Sequence, residues 1–249
     1  IKRRILTISI PTLIASFSLA LLITYIFSQT IMTNYLYAFL RSAQQEMIKS
    51  VELVMSDVNL RCVDLMSTPE VYVVAGDASR SHVDKNRRIS QILNDAVLGS
   101  QSVGDLALVT GRGEVFRMAT DSGLSLPARS FFEKIDGSSA TAVCGGIVHD
   151  ANNRPYILLG RRFSNFNTGQ NLGYLVVYLK AEELQAVYEP GLNQWGVSCM
   201  VSDDYTVMLH HDPAYVGSVI FDRALLRMDR EYACYEQPYC GETTIFSVT

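Results

Sequence analysis

The chain has 249 residues, 21 Lys and Arg against 25 Asp and Glu, a net charge of −4 and 48% hydrophobic residues. That mildly acidic balance, with no basic patch beyond the first few residues, excludes nucleic acid as an expected partner. The five cysteines are too few and too odd for a disulfide framework, and neither they nor the four histidines have zinc-ligand spacing, so no metal or other cofactor is expected.

The chain opens on Lys2-Arg3-Arg4, and from Ile5 to Gln29 it has no charged residue. A helix rises 1.5 Å per residue, so about 20 apolar residues cross a hydrocarbon core roughly 30 Å thick. The next cation is Arg41, far beyond the other end of the run. The positive-inside bias therefore puts the N-terminus in the cytoplasm and the rest of the chain outside the cell membrane. A cleaved signal would have a shorter apolar centre and a small-x-small site, which Tyr25-Ile26-Phe27-Ser28-Gln29 lacks, so a retained anchor is expected. Pro11 is expected to kink the span, which lipid-embedded helices tolerate.

Beyond the span the pattern stays helical to about Met66. Met47, Val51, Val54, Val58, Cys62 and Leu65 recur at spacings of three and four, with polar residues between them. This predicts one long helix whose far half packs on a domain. A signalling rod, a passive stalk and a coiled-coil dimer seam all fit the stripe. Two shorter helices are predicted over 69–75 and 83–98, with a loop at Gly76-Asp77-Ala78-Ser79.

The pattern then changes to strands. Leu106 to Thr110, Gly111-Arg112-Gly113 and Glu114 to Met118 read as a hairpin. A short helix over 127–135 precedes three strand-like runs at 140–148, 156–163 and 172–179, joined by turn-rich segments, and a linking helix covers 181–188. The order then restarts. Strands are predicted at 196–202 and 206–210 around Asp203-Asp204, an irregular stretch follows Asp212-Pro213, a helix covers 223–228, and strands return at 231–235 and 243–248. This is a weak internal repeat of an α+β unit whose second copy lacks its last strand, so the chain is expected to be a piece of a longer protein. The predicted division is 1–29 cytoplasmic tip and span, 30–68 stalk helix, 69–190 membrane-distal unit and 191–249 incomplete membrane-proximal unit. Cys234 and Cys240 flank a short segment with Pro238; a disulfide closing that hairpin and two buried thiols both fit the spacing.

The sequence resembles the tandem extracellular Cache (PAS-like) sensors of bacterial receptors, and among them the YesM-type sensor histidine kinases. The stretches that carry the resemblance are Leu158-Leu159-Gly160-Arg161-Arg162-Phe163, Thr168 to Val177, Val201 to Val207, and His211-Asp212-Pro213 with Val216-Gly217. The resemblance implies an α+β fold of two antiparallel PAS-like units and a dimeric receptor. It also implies a second span, a HAMP linker and a cytoplasmic kinase, none of which lies in this chain. No G-x-G-x-x-G or Walker-type phosphate cradle occurs, so no kinase activity is expected here.

In this family the distal unit holds a small-molecule pocket. By resemblance its rim includes Phe116, Arg117, Arg129, Phe132, Cys144, Tyr156 and Arg161. A part-buried Arg favours a carboxylate, phosphate or sugar acid through forked hydrogen bonds, and a solvated strand or helix face is the plain alternative for each. The amino-acid-binding subgroup carries Arg followed shortly by Trp-Tyr, where this chain has Arg129-Ser130-Phe131-Phe132. Some such receptors instead bind a solute-binding protein. Catalysis has little support: Asp203-Asp204 sits at a hairpin tip, and Gly196-Val197-Ser198 lacks nucleophile-elbow glycines. The same sensor can serve a chemotaxis receptor, an AraC-type regulator or a cyclic-dinucleotide enzyme; an anchored adhesion module and an anchored hydrolase are further alternatives.

Overall fold

The computed structural model describes residues 2–77, 79–118, 123–165, 168–188, 199–202, 205–210, 212–219, 233–239 and 242–248, with backbone alone for 2–11, 188, 233–239 and 242–248. The predicted helix at 223–228, the Asp203-Asp204 tip, Gly196 to Ser198, His211 and the Cys234–Cys240 pairing lie outside what is described. One helix, α1 (Lys2–Ser67), runs through Pro11 and on to the domain. Its large apolar side chains from Leu13 to Phe27 are 55–71% exposed. Water does not favour so long an apolar surface, and lipid does. Among the described residues it is the one helix long and apolar enough to cross a membrane.

The chain divides into two compact units, residues 47–224 and residues 1–46 with 225–249. In the first, the outer part of α1 is followed by α2 (Pro69–Gly76) and α3 (His82–Val97). Pro69 suits the first turn of α2, where its missing N–H costs nothing. Ser81 caps α3, its hydroxyl oxygen accepting from the Asp84 amide at 3.2 Å. Next come β1 (Val103–Thr110), β2 (Val115–Arg117), α4 (Arg129–Gly137), β3 (Val143–His149), β4 (Pro155–Ser164), β5 (Asn171–Lys180) and α5 (Ala181–Tyr188). The five strands form one antiparallel sheet in the order β2-β1-β5-β4-β3. Two short strands, β6 (Cys199–Val201) and β7 (Val207–His210), pair beyond α5. In the other unit, β8 (Ala233–Tyr239) and β9 (Glu242–Val248) form an antiparallel hairpin.

Strand alternation divides the five-stranded sheet into two apolar layers. Leu106, Leu108, Phe116, Ile157, Leu159, Phe163, Leu175, Val177 and Leu179 share one core with Val58, Cys62 and Leu65 of α1 and with residues of α2 and α3. Ala107, Tyr156, Leu158, Val176 and Tyr178 share a second core with Phe131 and Ile135 of α4. Both faces are covered, which is why the sequence of β4 and β5 alternates so weakly in polarity. The predicted α1 stripe packs as expected: Met47, Val58, Cys62 and Leu65 are buried, and Val51 and Val54 pack against that core. The strand-like run expected at 140–148 starts later, at Val143, because α4 extends to Gly137 and a turn follows in which the Ser138 hydroxyl accepts from the Ala140 amide at 3.0 Å.

Candidate functional site

Alternation sorts the seven rim candidates. Phe116 is fully buried on the α1 side of the sheet, stacked on His82 with ring centroids 5.4 Å apart. Arg161 lies on that same side, 8% exposed, with Nη1 donating to Asn59 Oδ1 of α1 at 2.6 Å. Cys144 pairs in register with Leu159 and is an exposed free thiol. Arg129 has a 91% exposed side chain, paired with Glu133 at 3.1 Å. Phe132 packs at the α4 face, its ring 4.9 Å from that of Tyr174. Arg117 and Tyr156 belong to the α4 face and are brought to one place.

That place is built around Asp105, whose side chain is completely buried in β1. Its Oδ1 accepts from the Leu106 amide at 2.8 Å, and its Oδ2 stands 3.9 Å from Arg117 Nη1. Arg117 Nη2 donates to the Tyr178 hydroxyl at 3.2 Å, and the guanidinium lies 5.6 Å from the Tyr178 ring centre. Tyr156 packs on the bare α-carbon of Gly104, the neighbour of Asp105 in β1, where a Cβ would collide with the ring. Burial pushes the Tyr178 phenol above its ordinary pKa, with Arg117 opposing and Asp105 adding to the rise. Tyr156 moves the same way, again chiefly by burial. Both phenols therefore stay protonated and can donate.

Two donors of this cluster also meet main-chain oxygens. Arg117 Nη1 donates to the Leu124 carbonyl at 2.5 Å, and the Tyr178 hydroxyl donates to the Ser125 carbonyl at 3.0 Å. Two adjacent backbone oxygens thus stand where a guanidinium and a phenol converge, a geometry that two carboxylate oxygens can reproduce. Sequence reasoning missed Asp105 and Tyr178. The readable signal was one acid inside an otherwise apolar strand, in phase with Ala107, and Ala107 is the register partner of Arg117.

A second polar group fixes α4. Tyr174 Oη donates to Asp136 Oδ2 at 2.5 Å, Arg162 Nε donates to Asp136 Oδ1 at 3.3 Å, and Arg162 Nη2 donates to the Asp136 carbonyl. Phe131 and Ile135 press on bare backbone, for a Cβ on Gly160 would lie 2.5 Å from Ile135 Cδ1 and 2.6 Å from Phe131 Cε1. Hence α4 is seated on β4 and β5 through Asp136, Phe131 and Ile135.

No protein-family model matches the chain, and no curated protein does. Solved structures are similar to it. The ligand-binding domain of the Pseudomonas fluorescens chemoreceptor CtaA in complex with L-isoleucine superposes with a TM-score of 0.62 at 16% identity, covering 88% of this chain and 87% of that one. That of the Pseudomonas aeruginosa PAO1 amino acid chemoreceptor PctB with L-Arg gives 0.61 at 18% identity, covering 84% and 86%. That of PctC from the same organism with GABA gives 0.59 at 16% identity, covering 85% and 89%. The chain therefore has the α+β fold of Cache-type ligand-binding domains, with a long apolar helix at its start.

Proposed function

We propose that this chain is the extracytoplasmic sensing part of a membrane receptor, and that it binds a small carboxylate-bearing molecule at Asp105, Arg117, Tyr156 and Tyr178. The observation that carries this reading is the pairing of Arg117 and Tyr178 with the Leu124 and Ser125 carbonyls on the α4 face of the sheet. A ligand carboxylate would replace those two acceptors and release the 124–125 backbone, and Asp105 would meet a cationic or hydroxyl group of the same ligand. The similar structures hold L-isoleucine, L-Arg and GABA, each of which carries a carboxylate and an amine. The chain anchors through the first part of α1, with its N-terminus cytoplasmic. It is arranged as a distal sensor unit over 69–190 and a proximal unit from 191 onward, and acts as a homodimer. The expected output is a histidine kinase. A chemotaxis output is supported equally by the nature of the similar proteins.

The test is a thermal-shift titration of the whole chain in detergent micelles with amino acids, γ-amino acids and dicarboxylates. A ligand bound only by the folded state raises the melting temperature, and the rise continues with the logarithm of its free concentration above Kd. At least one carboxylate is expected to raise it, with the rise lost in Arg117→Ala and in Tyr178→Phe at unchanged circular dichroism. A panel without any shift, or a shift that survives Arg117→Ala, sinks the reading.

A further inference from the structure

Three consecutive residues of β4 hold the two sides of the sensor together. Gly160 and Arg162 face α4: the first gives Phe131 and Ile135 a bare backbone to rest on, and the second binds Asp136. Arg161 between them faces α1 and donates to Asn59 at 2.6 Å. Adjacent α-carbons are held about 3.8 Å apart by a planar peptide. A shift of β4 driven from the α4 side therefore reaches Arg161 within one residue, with only the φ and ψ of neighbouring residues to take it up.

Arg161 is poorly satisfied where it stands. Its side chain is buried, its Nε has no hydrogen-bond partner, and no carboxylate pairs with it among the described residues. A buried guanidinium with an idle donor gains by small rearrangements that offer it an acceptor, so its seat is sensitive to position. Asn59 is the atom-level contact through which that sensitivity meets α1, and α1 continues without interruption to Lys2.

We propose that Arg161 is the positioning residue that couples α4 to α1: when α4 moves, β4 moves with it through Asp136 and Gly160, and the Arg161–Asn59 bond passes the displacement to the helix. This deepens the sensing reading above, since it names how occupancy of the α4 face would reach the membrane, but its test needs no ligand.

The experiment is amide hydrogen exchange on the whole chain in lipid nanodiscs, read over α1 residues 55–66. Releasing α4 by Asp136→Ala is expected to speed exchange there about fivefold, the equivalent of roughly 1 kcal/mol. In the Arg161→Leu and Asn59→Ala backgrounds the same release is expected to add nothing, whereas independent sites would show equal increments in every background. Faster exchange confined to α4, or an α1 response unchanged by Arg161→Leu, overturns the proposal. Should Asp136→Ala also strip protection from Leu175 to Leu179, Asp136→Asn is read by the same criteria, because it keeps the side chain's size and one acceptor oxygen while removing the charge that Arg162 and Tyr174 meet. A chain that binds no carboxylate yet shows the coupling removes the sensing reading and keeps this one. Carboxylate binding without the coupling does the reverse.

Discussion

Tyr174 donates its hydroxyl to Asp136 Oδ2 at 2.5 Å, joining β5 to the last turn of α4 across 38 positions of chain. This bond is the first cause of the raised Tyr174 pKa, ahead of burial, so the phenol is held as a donor. Tyr174→Phe deletes the bond and leaves the ring on Phe132. The expected loss is about 1 kcal/mol of stability in urea unfolding, held down by the exposure of the pair. An unchanged midpoint would show that Arg162 alone holds Asp136.

Gly160→Ala tests how tightly α4 is seated. The added Cβ would fall 2.5–2.6 Å from Ile135 and Phe131, closer than packed atoms approach, so these side chains, α4 or the strand must shift. Overpacking of this kind destabilises by about 1–3 kcal/mol. The partner change Phe131→Leu should restore part of that loss, read as a non-additive double-mutant cycle. Additive losses would mean that the strand, not α4, gives way.

Much of the fold was legible because local and global signals agree. The α1 stripe, the β1–β2 turn with Gly113 at φ 81° and the turn-rich joints all point the same way in sequence and in space. The site was less legible for a geometric reason. Arg161 and Arg162 look alike as neighbours, but strand parity sends one to Asn59 and the other to Asp136. Parity is weakly marked in β4, where Tyr156 to Arg161 are all buried, so polarity gives no phase. The Leu124 and Ser125 contributions come from backbone carbonyls, which carry no side-chain signature at all.

Cys144 offers a test of topology. Its thiol is exposed, whereas Cys62 is buried and Cys199 is half-buried, with burial pushing the Cys199 thiol up to about 11. Thiolate is the reactive form, so Cys144 should react far faster than either. In a chain carrying Cys234→Ser and Cys240→Ser, a membrane-impermeant maleimide added to intact cells is expected to label the protein, and Cys144→Ser to remove most of that label. Labelling that appears only after lysis would place the sensor inside and reverse the orientation of α1.

Leu53 and Leu60 stand seven residues apart on α1, 72% and 60% exposed, away from the buried stripe. That spacing repeats one position of a heptad, so both side chains lie on one face of α1. If the proposed homodimer pairs through this face, Leu53→Glu with Leu60→Glu is expected to leave the detergent-solubilised chain monomeric in light scattering with the circular dichroism unchanged. A dimer that survives both charges would rule out this face as the seam.

Asp150 sets the acid limit of the β3–β4 turn. Its Oδ1 accepts from the Asn152 and Arg154 amides at 2.9 and 2.8 Å, and its Oδ2 from Arg154 Nε at 2.8 Å. The Arg154 amide is the leading cause of a lowered pKa, followed, against the opposing effect of burial, by the Arg154 side chain and the Asn152 amide. A carboxylate whose folded pKa lies below its unfolded value, about 3.9, stabilises fully above that value, and the stabilisation is lost as pH falls through the folded one. Asp150→Asn keeps the shape and one acceptor oxygen but removes the charge. Its melting temperature should lie below that of the unmodified chain at pH 7, and the gap should narrow as the pH is taken from 5 to 3. A gap that stays constant across that range would mean that the turn is held by shape alone, with the charge of Asp150 contributing nothing.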